Sequence, residues 1–129
     1  MDLPTRTIPF PTERDIVYVV GFQRDAEFVP IYVGESTRNI GRFGDYVSGQ
    51  FSAQTDFKVG IAVKHLNKLG FQVVIRYDET KNRKDDERRI LAELRKKYRL
   101  LNDLKGYAYR TAQESEERER VECFVTTLV

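Results

Sequence analysis

One cysteine, one histidine and no tryptophan occur among the 129 residues of the chain. The lone cysteine, Cys123, excludes an internal disulfide framework and a cysteine-based zinc site, and the lone histidine, His65, excludes a histidine-rich one. A bound metal would have to be a hard cation on oxygen ligands. No apolar run approaches the ~20 residues of a bilayer helix, so no membrane association is expected. Residues 1–15 lack a continuous apolar stretch, so no secretory leader and a cytoplasmic location are expected. Charge of one sign is also missing. Twenty-two basic against twenty acidic residues leave +2, too little to diagnose nucleic-acid binding on its own. No phosphate-cradling glycine loop, dinucleotide fingerprint or serine-nucleophile elbow occurs. What remains is 40% hydrophobic residues in a length that suits one domain, 1–129, with a modest core.

Residues 1–14 hold three prolines and read as an irregular arm. The run Asp15–Phe22 alternates with period two and is rich in β-branched residues, which predicts a strand. A polar connection from Gln23 to Val29 and a second strand opened by Pro30 give an antiparallel hairpin with a loop longer than a tight turn. Ser36 and Thr37 are N-cap candidates for a helix to about Val47, with Ile40, Phe43 and Val47 facing the core. A helix over 57–69 is expected to bury Ile61, Ala62, His65, Leu66 and Leu69 and to stop at Gly70. Phe71–Tyr77 reads as a third strand, and a longer helix from Arg83 to about Leu101 carries Ile90, Leu91, Leu94, Tyr98 and Leu101 on one face. Residues 106–129 form a C-terminal extension: a charged stretch from Gln113 to Arg120, loop or polar helix, and an alternating segment, Val121–Val129, that predicts a last strand. The expected class is α+β, a small mostly antiparallel sheet of three core strands, with a further C-terminal strand, flanked by helices.

Three groups of residues carry chemical promise. Tyr18 and Tyr32 sit on the two hairpin strands, as half-buried filler or as site residues. Arg38, Arg42 and Tyr46 recur every four residues on one helix face, drifting ~40° per step; they form either a solvated face or an anion clamp. Glu87 falls inside the apolar stripe of its helix, three, four and seven residues before Ile90, Leu91 and Leu94. A carboxylate there is unfavourable unless paired or metal-bound, although a first-turn acid also suits the helix dipole. Asp85 and Asp86 lie off the stripe as dipole partners. His65 reads as a satisfied, semi-buried histidine rather than a base. The run Arg95-Lys96-Lys97-Tyr98-Arg99 can follow a phosphate backbone or simply face solvent.

Together these residues resemble the GIY-YIG nuclease family over about residues 15–105. Ile16-Val17-Tyr18 takes the place of the first motif, Tyr32-Val33-Gly34 that of the second, and Arg42 lies eight residues past Gly34 on the following helix. Tyr46 one turn later, Glu87 near the start of the helix after the third strand, and Asn102 complete the match. Two positions depart from the pattern: Ile16 replaces the initial glycine, and Glu35 stands where repair-type members carry a lysine. The resemblance implies a DNA endonuclease, with RNA left open, holding one Mg²⁺ or Mn²⁺ on Glu87. It assigns Tyr18, Tyr32 and Tyr46 to the water and phosphate, and Arg42 to charge in the transition state. Arg38, Arg42, Lys96, Lys97 and Asn102 would contact the nucleic acid. The alternative is a non-cleaving nucleic-acid-binding or protein-interaction module on the same fold. So small a chain is expected to act as a homodimer or with a partner protein that supplies specificity. The contact surfaces expected for a dimer are the arm through Phe10 and the edge of the 121–129 strand, with acidic Glu114–Glu119 turned away from the cleft.

Overall fold

The structure, a computed structural model, describes residues 15–36, 54–104 and 114–129. Strands β1 (Ile16–Arg24), β2 (Glu27–Ser36) and β3 (Gln72–Glu79) form one antiparallel sheet in the order β2-β1-β3. Helices α1 (Gln54–Lys68), α2 (Arg83–Arg95) and α3 (Glu114–Leu128), with a short 3₁₀ turn at Leu101–Asp103, flank it. The class is α+β, as expected. The arm 1–14 and the helix carrying Arg38, Ile40, Arg42, Phe43, Tyr46 and Val47 lie outside the described residues.

β1 is the spine, buried on both faces. Ile16, Tyr18, Val20 and Phe22 enter a core closed by Val59, Ile61, Ala62, Val63 and Leu66 of α1 and by Val121, Phe124 and Val125 of α3. Val17 and Val19 enter a second core against Ile90, Leu91 and Leu94 of α2 and Leu100. A strand covered on both sides reads as a near-continuous apolar run, and Ile16–Val20 has that composition.

Several elements differ from the sequence expectation, each for an identifiable reason. The hairpin closes with two residues, Asp25 and Ala26, between Arg24 and Glu27, which are paired. Asp25 supplies the left-handed backbone at φ 55°, a conformation Asp tolerates better than most residues. Pro30 lies inside β2 rather than at its start, because β2 is an edge strand and the register slips between Val20 and Gly21 opposite it. α1 begins three residues earlier than expected and ends in a Schellman cap: Phe71 N–H bonds to Leu66 O at 2.9 Å and Gly70 N–H to Asn67 O at 3.1 Å, with Gly70 at φ 91°. That turn sends Leu69 outward, 44% exposed, rather than into the core.

α2 stops at Arg95, short of Leu101. Leu100 and Leu101 must enter opposite cores, which one helical stripe cannot do, so the chain is extended at Leu100 (φ −119°, ψ 148°). The largest correction is at the C-terminus. Residues 121–129 form no strand; Val121 to Leu128 belong to α3, because Val121, Phe124, Val125 and Leu128 repeat at i, i+3, i+4 and i+7 and pack on the α1 side of the sheet. Arg24 Nη1 donates to Leu128 O at 2.8 Å, closing the end of that helix from the hairpin. The strand edge expected there for a dimer does not exist.

Candidate active site

The strands converge at one end of the sheet, where β1 begins, β2 ends and β3 hands the chain to α2. Thr80 joins these parts: its N–H donates to Asp15 O at 2.9 Å, its hydroxyl donates to Asp86, and it accepts from Asn82 N–H at 3.0 Å. Asn82 then starts the helix, with Asp86 N–H bonded to Asn82 O at 3.0 Å. This lashing fixes the rotation of α2, so that Ile90, Leu91 and Leu94 face the sheet. Glu87 follows on the same stripe, half-buried at the rim. Asp85 and Asp86, in the first turn, pair with Arg88 and Arg89.

Beside Glu87 lies an ion pair that sequence reasoning did not assemble. Arg83 donates to the Glu35 carboxylate, and its Nε stands 4.0 Å from Asp15. Burial, and then the charge of Glu35, push the Glu87 carboxyl above its ordinary range, while Lys84 and Arg83 pull it back. The Glu35 hydrogen bond and charge hold the Arg83 guanidinium more firmly protonated than usual. The only sequence hint is spacing, since Arg83 and Glu87 are one helical turn apart; Glu35 arrives from β2 by tertiary folding.

Tyr18 and Tyr32 share the opposite face of the sheet, their ring centroids 6.2 Å apart. Tyr18 is fully buried. A Cβ on Gly34 would lie 2.5 Å from both Cζ and Oη of Tyr18, so the glycine is required for the Tyr18 ring to lie across β2. The Tyr18 hydroxyl is thereby brought over Gly34, one residue before Glu35. The structure thus places two sets of candidates on opposite faces, joined through Gly34-Glu35: the tyrosine pair, and the Glu35–Arg83–Glu87 group. Arg38, Arg42 and Tyr46 lie outside the described residues. Lys96 and Lys97 are exposed just beyond α2, at the end remote from Glu87. His65 bridges α1 and α3, its Nε2 3.1 Å from Thr126 Oγ1 and its Nδ1 3.3 Å from Glu122.

Asn102 has a specific placement. Its Oδ1 accepts from Val33 N–H at 2.9 Å and its Nδ2 donates to Val33 O at 2.7 Å, so the side chain pairs with the free edge of β2 as a neighbouring strand would. Val33 lies between Tyr32 and Gly34, and Asn102 therefore fixes both. Asn102→Ala is expected to lose ~1–3 kcal/mol by leaving those two groups unpaired, measured as a lower urea midpoint. Unchanged stability with weakened oligonucleotide binding would instead make Asn102 a nucleic-acid contact.

Oxygen donors suited to a hard cation are present in Glu87 and Glu35, although no group of three or more metal-ligating side chains occurs among the described residues. Comparison with protein-family models, curated proteins and solved structures returned no match.

Proposed function

We propose that the chain is a divalent-metal-dependent phosphodiesterase, an endonuclease of the GIY-YIG type acting on DNA. The observation that supports this reading best is Glu87: a carboxylate half-buried on a sheet-facing stripe, with a second carboxylate near enough to raise its proton affinity. Such a charge is disfavoured on its own and relieved by a cation, so it fits a Mg²⁺ or Mn²⁺ ligand. Glu87 would hold the metal together with water and a phosphate oxygen. A bound divalent ion supplies Lewis-acid stabilisation of the leaving oxygen.

The remaining work falls to the chain's own side chains. Tyr18 would orient the attacking water or take its proton and Tyr32 would position the phosphate; both rings lie on the sheet face opposite α2, so the Tyr18 hydroxyl, over Gly34, would have to reach the Glu87 side past the end of β2. An ordinary tyrosine hydroxyl titrates near pH 10, so the base role needs a cation close by; Arg42 is the candidate from the sequence. Arg42 would also stabilise charge developing on the phosphate, a contribution of ~3–4 kcal/mol by analogy with a single oxyanion donor. Glu35 holds Arg83 beside Glu87, where repair-type members of the family have a lysine.

A second reading is favoured by one observation. Tyr18 is wholly buried and fitted over Gly34, as a packing residue would be. On that reading the chain binds nucleic acid or protein without cutting. Plasmid nicking separates the two. Nicking is expected in Mg²⁺ or Mn²⁺ and none in excess EDTA; full activity in EDTA would sink the metal-dependent reading, and no nicking with any divalent ion would leave the binding module.

A further inference from the structure

Beyond the C-terminal end of α2, away from Glu87, lies a cleft of about 450 Å³ between the segment leading to the 3₁₀ turn and α3. That volume lies within the range of small-ligand sites. Arg95, Tyr98, Arg99 and Phe124 line it, and Lys97, between Arg95 and Arg99 in the chain, lies just outside the lining. The cations here are not equivalent. Arg95 is held by Asp103 through Nε at 3.0 Å and Nη2 at 2.6 Å, and Lys96 by Glu93 at 3.0 Å. Lys97 and Arg99 have no carboxylate partner among the described residues. Each lies over a ring instead: Lys97 Nζ is 5.3 Å from the Tyr98 centroid, and Arg99 Cζ is 5.2 Å from that of Phe124. The contact of Arg99 with Thr127 Oγ1, at 3.5 Å, is too long to hold the guanidinium.

A partly exposed aromatic ring, Tyr98, beside cations with no carboxylate partner among the described residues suits a ligand that is both flat and anionic. We propose that this cleft holds one nucleotide of a single-stranded segment, its base against Tyr98 and its flanking phosphates on Arg99 and Lys97. The assignment rests on the phosphodiester reading of the Glu87 end and extends it to substrate anchoring. Arg95 follows Glu87 by eight residues of α2, ~12 Å along the axis, a span that a short single-stranded segment covers. A strand anchored in the cleft can therefore reach Glu87 a few nucleotides away. An acidic peptide would answer the charges but leave the Tyr98 ring without a stacking partner.

The test is fluorescence anisotropy of a labelled eight-nucleotide oligo-dT with the full chain in EDTA, where the proposed cleavage is silent. Arg99→Gln is expected to weaken binding about 5- to 10-fold, and each of Lys97→Gln and Arg99→Gln to lower the slope of log K against log salt by ~0.7. Tyr98→Leu is expected to weaken binding at least about 5-fold with no change of slope. Lys64→Gln, removing an exposed charge on α1, should leave binding unchanged. Equal losses from Lys64→Gln and Arg99→Gln would overturn the cleft assignment, as would wild-type affinity in Arg99→Gln, no oligonucleotide binding at all, or competition by octa-glutamate as effective as by unlabelled oligo-dT. Plasmid nicking measured in parallel keeps the two readings apart. Cleft-dependent binding without nicking supports the cleft and removes the nuclease; nicking by a protein whose binding ignores Arg99 does the reverse.

Discussion

Glu87→Gln is expected to lose at least ~100-fold in cleavage rate and yet to melt slightly above the wild type in metal-free buffer. The two effects share one cause. Burial and Glu35 raise the proton affinity of Glu87 in the folded protein above its value in the unfolded chain. Between the ordinary and the raised value the folded state binds more protons, so stability falls as pH rises through that window and stays lower once Glu87 is ionised. Glutamine removes the charge and keeps the shape. A gain of about 1–3 °C in Tm is expected at neutral pH, shrinking to nothing as pH falls below the ordinary carboxylate range. A drop in Tm at neutral pH would show that Glu87 is a structural partner of Arg83 and Lys84 rather than a ligand held in readiness. Arg42→Ala is expected to lose a similar factor in rate, and near wild-type cleavage by either variant would refute the assignment.

The second large effect is on folding. At Gly34 an added methyl meets the Tyr18 ring at 2.5 Å. Neither side can yield easily: Tyr18 is fully buried, and β2 is held at the preceding residue by Asn102. Gly34→Ala is expected to lose ~1–3 kcal/mol, and Gly34→Val about 3 kcal/mol or more, read as a fall in urea midpoint at unchanged slope. Combining Gly34→Ala with Tyr18→Leu should recover part of the loss, a coupling of ~1 kcal/mol or more. Strict additivity of the two changes would show that the ring and the glycine do not confront each other.

Local pattern made some of this legible. β1 announces itself by its β-branched run, Gly70 by its place after a helical stripe, and Glu87 by being a charge where an apolar residue belongs. Tertiary competition hid the rest. Residues 121–129 offer two periods at once: Val121, Cys123 and Val125 alternate, while Val121, Phe124, Val125 and Leu128 follow a helix, and only packing beside α1 decides between them. The Asp25-Ala26 turn carries no glycine, so a longer loop was the natural expectation. Leu100 and Leu101 look like one more turn of α2 until each is seen to be needed on a different face. Glu35 and Arg83 stand 48 positions apart, and Asn102 and Val33 stand 69 apart; no periodicity joins such pairs.

The amide of Asn102 has a consequence for assembly. A three-stranded sheet has two margins, and β2 is one of them. Along β2 the Val33 peptide is already occupied by a side chain of the same molecule. Along β3, no strand lies outside it among the described residues. A second chain seeking to lengthen this sheet beside β2 would have to displace that two-point contact. A strand added beside β2 would therefore also disturb Tyr32 and Gly34, the residues on either side of Val33.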